Sequence, residues 1–589
     1  MSRIRSWLLP VAGAVALAAG VLPQATGAAR DTAALDWPQF LHDPQHSSVS
    51  QATAFTPANA GSVTQVWHWK PPVISGQAAP HLDASPTVVA GRVYIGAESG
   101  GFYALNESTG AVEWHRQLDT CPRRGITATA AVEPDPVTGV STVYVSGSHF
   151  LYALDAVTGA QVWKTRIGPN AGPRMYYNWS SPMVVAGHIY VGLASDCGGP
   201  LIRGGVVELD QHTGKVLHTW YSVPAGSIGA SVWSTVAASA SGNDLWVSTG
   251  DECDPAIAKC PAGNQTGHSL SIVHLSSSLN MLQAWQVPGA TGHDWDFGSS
   301  PTLFGGTGGV PTEVGACNKN GNYYALAATP LGSSPLWTDA VGGPPGPAGL
   351  CLASSVWDGQ GNRLFIAGNA TTIGGTSFGG SVREVDPATG AFIWESGLPC
   401  AEVGTPSLDS AGVLAVGTWS CTQPNTPGAY LLDAATGTIL TTLPTGTSRV
   451  FSQPVFAQGT LFVATQTKGL YNFAPGPVLQ GLPAEHPDPE SGGSVYAPGG
   501  GRAGHGRVPG ARPAPAQACS GPAYAAAIPS PPTAPGTVTV PIWVSVPPVT
   551  ENSSTTPLPP VCTYRNRPSG VALESTVPGS VAVWPSKVS

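Results

Sequence analysis

The 589-residue sequence predicts an all-β protein, an eight-bladed β-propeller of four-stranded antiparallel blades. Three observations lead there: a hairpin phrase that recurs with a period near ~50 residues, aromatic residues that close it, and a turn-rich composition. The phrase is clearest in Phe102–Trp114 (FYALNESTGAVEW), Leu151–Trp163 (LYALDAVTGAQVW), Val382–Trp394 (VREVDPATGAFIW) and Tyr430–Leu440 (YLLDAATGTIL). Degraded copies span Val206–Trp220, Ile272–Trp285 and Tyr323–Trp337. Each is an alternating apolar run, a polar turn and a second short strand, the pattern of a β-hairpin. In the Asp-x-x-Thr-Gly turn the carboxylate caps backbone N–H groups, and Gly accepts the positive φ that other residues resist.

Taken in chain order, the first element is an address. Arg3 and Arg5 precede an apolar run from Trp7 to Leu22, followed by small residues at Ala25 and Gly27–Ala29. A charged start, a short apolar stretch and a small-residue cleavage zone predict a secretory signal peptide over 1–29. Pro10 interrupts the run, and it is short for a membrane span of about 20 residues. The propeller is expected over 30–474. Trp67 or Trp69 begins the series of closing aromatics, which continues at Trp114, Trp163, Trp220, Trp285, Trp337 and Trp394, with Leu440 in seventh place. These residues are expected to dock one blade on the next. After Leu440 comes one more strand pair, Ser448–Phe473, without a closing Trp of its own. The strand around Trp67 is expected to complete that sheet, joining the two ends of the ring and hiding both sheet edges. Residues 475–589 form a Pro/Gly-rich tail, best left without secondary structure apart from strand-like islands at Val538–Val546 and Ser580–Trp584.

Composition narrows the function classes. Charged residues make up 10% of the chain, against about 25% in ordinary soluble proteins, while Gly 74 and Pro 57 fit a turn-rich β chain. The formal charge of −9 supplies no basic stripe, which argues against nucleic acid as a partner. No second apolar run suggests a membrane span downstream of the leader. Ten Cys in an exported chain are expected to be oxidised. Cys253 with Cys260 and Cys400 with Cys421 are the nearest local pairs, and Cys519 with Cys562 would tie the tail to itself. No C-x-x-C occurs, so metal binding by Cys is the poorer reading, and no C-x-x-C-H attaches a haem.

The repeats, the opening Asp36–Ser50 (DWPQFLHDPQHSSVS), the following Pro57–Trp69 and several internal motifs resemble the PQQ-binding-like propellers, in particular the quinoprotein alcohol dehydrogenases such as methanol and polyvinyl alcohol dehydrogenases. The resemblance covers roughly Asp36 to Phe473. It implies a site of four pieces. Asp296 in HDWDFGSSP corresponds to the catalytic Asp and metal ligand, and Lys319 in NKNGNYYAL to the cation that touches the quinone. Trp233 in SVWSTVAAS corresponds to the indole beneath the cofactor. Asp251 in VSTGDEC, eighteen residues on, stands where the family usually places a calcium-binding Asn. Arg124 in CPRRG is the candidate partner for cofactor carboxylates, with Arg123 and Arg203 in reserve.

The chemistry fits those residue types. Alcohol oxidation needs a base for the hydroxyl proton and an acceptor for the hydride. PQQ is the cofactor so implied, calcium the Lewis acid, a small or polymeric alcohol the substrate, and an external cytochrome or quinone the electron acceptor. Two departures stand out. No Cys-Cys dipeptide exists, Cys121 being alone in the corresponding region, and the family's calcium-binding Glu is missing near Gly199. Asp251 in place of Asn restores one negative charge, and Asp196 or Glu252 offers a further oxygen. The same residues also admit structural roles. Trp295-Asp296 is a turn-fixing pair in other propellers, Trp233 a packing indole, Asp251 a turn residue, Lys319 a solvated lysine, Arg124 a surface charge and His293 a polar loop residue. The alternative function is therefore a non-catalytic propeller that binds proteins or polysaccharide in the cell envelope. A hydrolase or lyase on the same scaffold lacks any supporting motif.

Overall fold

The computed structural model describes residues 32–73, 79–118, 125–147, 149–168, 176–195, 201–253, 255, 260–289, 295–306, 310–343, 351–421 and 424–476. The expected leader (1–29) and nearly all of the tail, with the Cys519–Cys562 pairing, lie outside them.

Alternating and continuous apolar runs become strands, and the strands assemble into eight sheets, seven of four strands and one of six. Their first strands are Thr87–Val89, Ala131–Pro134, Met183–Val185, Ala237–Ala238, Thr302–Phe304, Val356–Asp358, Ser407–Asp409 and Val455–Ala457. We number the blades 1 to 8 in that order. Within a blade, successive strands are antiparallel neighbours. The middle strands are buried on both faces, as in His188–Leu193 and Gly205–Asp210, because each blade is covered by its two neighbours. Apolar clusters accordingly bridge blades: Tyr190 and Trp220 of blade 3 pack with Val236, Leu245 and Val273 of blade 4.

The ring closes as expected. Thr64–Trp69 pairs antiparallel with Gly469–Ala474 as the outer strand of blade 8. Blade 8 takes three strands from the C-terminal stretch, not the single pair read from the sequence: Val455–Ala457, Thr460–Thr465 and Gly469–Ala474.

The closing tryptophans dock blade on blade. Trp67, Trp114, Trp337 and Trp394 each donate the indole N–H to the carbonyl of Glu107, Ala156, Pro387 or Ala434 in the next blade's turn, at 2.7–3.1 Å. The turn Gly has two duties. Gly159 sits at φ +67°, and a Cβ there would stand 2.6 Å from the Trp114 ring. Asp155 accepts the Thr158 hydroxyl and the N–H groups of Val157 and Thr158, which holds its carboxyl below the usual range. Leu440 replaces Trp in blade 7 for a structural reason: blade 8 has no such turn, since its outer strand arrives from the N-terminal side. Leu440 packs instead beside Ala60 and Val63. Gly159→Ala is expected to destabilise the protein by about 2–3 kcal/mol in denaturant titration, combining positive φ with overpacking of Trp114. No loss would show that the indole docks without needing the bare backbone.

Two features close the axis. Two residues ahead of the first residue of seven inner strands lies a hydroxyl ring: Ser85, Thr129, Ser181, Thr235, Ser300, Ser354 and Thr405, each of the first six donating its backbone N–H to the next side-chain oxygen at 2.8–3.1 Å. Gln453 of blade 8 returns the series to Ser85 at 2.9 Å. Beyond this ring, residues 35–48 thread past all eight inner strands. Leu35 accepts from Gln458, Trp37 from Val88, Pro38 from Val132, Pro44 from Ala238, Gln45 from Leu303, Ser47 from Trp357 and Ser48 from Leu408, with the Gln39 side chain accepting from Val184. Inner strands present unpaired N–H groups toward the axis, and the thread satisfies one per blade. His46 within it is fully buried and pairs with the Pro301 carbonyl at 2.7 Å; burial pushes its imidazole down to about 4. The thread lies on the far side of the hydroxyl ring from the segments that enter the inner strands, so it floors the channel.

Three disulfides join described residues: Cys253–Cys260 and Cys400–Cys421, which are the two nearest local pairs of the sequence, and Cys317–Cys351, which the sequence did not single out. Among the described residues no helix is long and apolar enough to cross a membrane.

Candidate active site

Two kinds of segment meet on the face opposite the thread: the stretch leading into each inner strand, and the loop between each blade's second and third strands. In blade 4 they carry Trp233 and Asp251. In blade 5 they carry Asp296 and Lys319. A bond recurring in blades 1, 4, 5 and 8 fixes their approach, the loop N–H donating to the entering carbonyl: Gly250 to Ser231 at 2.7 Å and Lys319 to Asp296 at 3.1 Å.

All four side chains predicted from those segments converge. The Lys319 ammonium donates to Asp296 Oδ2 at 2.8 Å, with the two side chains 13% and 16% exposed. Asp296 Oδ1 accepts the backbone N–H of Asp251 at 2.8 Å, and Asp251 Oδ1 accepts the N–H of Trp295 at 2.8 Å. This reciprocal pair locks the two loops together across the blade boundary. Lys319 Nζ also lies 5.4 Å from the centroid of the half-buried Trp233 indole. The result is an oriented carboxylate, an ammonium and an indole face within one small region. A carboxylate held this way can take a proton from a hydroxyl, while the ammonium stabilises charge developing beside it.

Arg124, Arg123, Cys121, Asp196, Gly199 and His293 lie outside the described residues. The reserve candidate Arg203 is committed locally: its Nε donates to the Val223 carbonyl at 2.8 Å and its guanidinium stacks on Tyr221 at 3.9 Å. Glu252 meets Gly229 through a backbone bridge.

Residues that the sequence reading passed over turn out to shape the site. Gly250 is required, since a Cβ there would stand 2.2 Å from Asp296 Oδ1; Gly298 likewise clears the Trp233 ring, which a Cβ would meet at 2.9 Å. The buried Asn318 donates to the Trp295 carbonyl at 2.6 Å, and the Cys317–Cys351 disulfide anchors the strand just before Lys319. Thr-Gly-Asp and Cys-Asn-Lys were visible as strings, but their importance comes from contacts 45 and 23 residues away. The hydroxyl ring did leave a signal, a Ser/Thr ahead of Pro in Ser85-Pro86, Ser181-Pro182, Ser300-Pro301 and Thr405-Pro406.

With this geometry in place, the similarities to known proteins are informative. Residues 37–257, which include Trp233 and Asp251, match the family model of the glucose/ethanol/alcohol dehydrogenase β-propeller domain. Residues 379–476 match a second propeller model, that of the outer membrane protein assembly factor BamB. A polyvinylalcohol dehydrogenase of Pseudomonas sp. is 27% identical over 252 residues, 37% of this chain and 38% of that protein. Another from Sphingopyxis sp. (strain 113P3) is 25% identical over 386 residues, 60% of this chain and 51% of its own. The chain thus spans about half or less of these relatives. The solved quinohemoprotein alcohol dehydrogenase of Comamonas testosteroni shares the fold with TM-score 0.60 and 19% identity, covering 80% of this chain and 84% of that one.

Proposed function

We propose that this protein is an exported quinoprotein dehydrogenase that oxidises an alcohol with PQQ and calcium and passes the electrons to a separate acceptor. The observation that carries the reading is the Asp296–Lys319 ion pair set beside Trp233, with Asp251 locked to Asp296. The similarity to polyvinylalcohol and quinohemoprotein alcohol dehydrogenases supports it.

The residues present fit the groups this requires. Trp233, cleared by Gly298, offers an apolar face to a flat guest, and Lys319 offers a cation to its carbonyl oxygens. Asp251 and Asp296 are hard oxygen donors from adjacent loops, suited to calcium; Lys319 offsets one of their two charges, and Arg124 is the proposed partner for the cofactor's carboxylates. Bound PQQ would supply the two-electron acceptor and calcium the Lewis acid. Asp296 takes the alcohol's hydroxyl proton at a carboxylate oxygen. Lys319 and Asp251 hold Asp296 in place, so that its lone pair faces the substrate without reorganisation. The leader over 1–29 supports export, and the sequence carries no haem motif of its own, so an external cytochrome or quinone takes the electrons.

Purified protein incubated with PQQ and calcium should reduce a dye acceptor on addition of primary, secondary or polymeric alcohols. Binding of PQQ is followed separately by quenching of tryptophan fluorescence. Quenching with alcohol-dependent dye reduction supports the dehydrogenase. The match of residues 379–476 to the BamB model favours a second reading, a non-catalytic binding propeller of the envelope. Absence of PQQ binding would leave that reading in possession.

A further inference from the structure

Among the described residues, three metal-competent side chains outside the site above lie together: one ligating atom each from His81, Asp83 and Glu98, all within 4.8 Å of one another. We propose that His81, Asp83 and Glu98 bind a divalent transition ion, Zn2+ being the reference case, which clasps the ring at the seam where its two ends meet.

The repeat itself marks these positions. Glu98 N–H bonds the His81 carbonyl at 3.0 Å, as Lys319 does that of Asp296 and Gly250 that of Ser231. His81 and Glu98 are therefore the blade 1 counterparts of Asp296 and Lys319, on the same face. Blade 5 pairs an ammonium with a carboxylate at 2.8 Å. Blade 1 instead sets His81 Nδ1 and Glu98 Oε2 3.3 Å apart. That is long for a charge-assisted hydrogen bond of about 2.7–2.9 Å. It matches the spacing of two ligands on one tetrahedral ion with bonds near ~2.1 Å. Asp83 brings a second carboxylate, and Gln466 of blade 8 donates to its Oδ1 at 2.9 Å, orienting it as outer partners of metal ligands do.

Location supplies the consequence. His81 and Asp83 lie on the connection between the closing strand Thr64–Trp69, which belongs to blade 8, and the first strand of blade 1. Glu98 belongs to blade 1 and Gln466 to blade 8, so an ion here holds both sides of the seam. The imidazole selects a borderline ion over calcium, which prefers oxygen alone. His81 and Glu98 side chains are 39% and 22% exposed, so an ion can enter without unfolding.

The inference is independent of the dehydrogenase reading and is tested without activity. Full-length protein is stripped with chelator, dialysed, and titrated with Zn2+, Mn2+ or Ca2+ by isothermal calorimetry and thermal unfolding. Zn2+ is expected to bind once per chain more tightly than Ca2+ and to raise Tm by about 2–3 °C at a hundredfold excess over Kd. Glu98→Gln and His81→Ala should each weaken binding at least tenfold, and Gln466→Ala, which removes no ligand, by about tenfold. Circular dichroism confirms that each variant is folded, and Glu98→Gln suffices if His81→Ala is not. No saturable Zn2+ binding overturns the proposal. So does binding undiminished in both ligand variants, which would move the ion elsewhere, for instance to His188 and His218 on Glu208.

Discussion

Asp296→Asn is expected to lower alcohol-dependent dye reduction about a thousandfold while PQQ still quenches tryptophan fluorescence. A positioned general base contributes about 10²–10⁴-fold, and asparagine keeps the shape of the side chain without its basicity. The local geometry adds a second loss. Oδ1 accepts from the Asp251 N–H and Oδ2 from Lys319, so the new amide must turn its NH2 toward one donor or the other. Either choice sets donor against donor and loosens the lock between the blade 4 and blade 5 loops. Lys319→Met removes the cation alone and should weaken PQQ binding as well as turnover. The two variants therefore separate proton transfer from cofactor retention. Unchanged turnover in Asp296→Asn, measured as kcat at saturating alcohol, would remove this residue from the chemistry.

Glu402→Leu is expected to stabilise the protein by about 2 kcal/mol at pH 7, read as a rise in Tm and in the denaturant midpoint. Glu402 lies three residues before Thr405 of the hydroxyl ring, between blades 6 and 7. In five other blades that position is filled by Leu82, Ile126, Val232, Phe297 or Val450, while blades 3 and 6 place Asn178 and Cys351 there. Glu402 is 1% exposed, and among the described residues neither carboxyl oxygen has a hydrogen-bond partner; burial alone pushes its pKa well above the usual range. The sign follows from that direction. With the folded pKa raised, the folded protein holds the proton more tightly than the unfolded chain. The penalty is absent below the unfolded value of about 4.3 and grows as pH rises above it. The stabilisation by leucine should therefore shrink toward pH 4. His46 acts in the opposite sense. Its folded value of about 4 means that stability is lost as pH falls from about 6.5 toward 4. The two slopes oppose each other in the native protein, so removing Glu402 should expose a clearer loss of stability in acid. A variant no more stable than the native protein at pH 7 would mean that the carboxyl is satisfied in solution.

Much of this protein was legible one repeat at a time. The Asp-Thr-Gly turns, the alternating strands and the closing tryptophans are local features, fixed by backbone sterics and by short-range hydrogen bonds. Their regular spacing was enough to number the blades and to expect closure by the strand around Trp67. Even the missing tryptophan at Leu440 was a local fact, although its reason, the lack of a turn in blade 8, belongs to the closed ring. The four site residues that converge were legible only through resemblance, because nothing within each loop distinguishes Asp296 or Lys319 from an ordinary polar residue.

By itself, then, the sequence determined the architecture: one hairpin phrase, repeated, can bury its faces only against copies of itself, and a circle is how such copies leave no end uncovered. The tertiary structure alone decided which side chains meet. The thread that floors the channel, the Cys317–Cys351 link, the need for glycine at 250 and the joining of Asp251, Asp296 and Lys319 all depend on closure. Closure sets residues from neighbouring blades a few ångströms apart, whatever their separation along the chain.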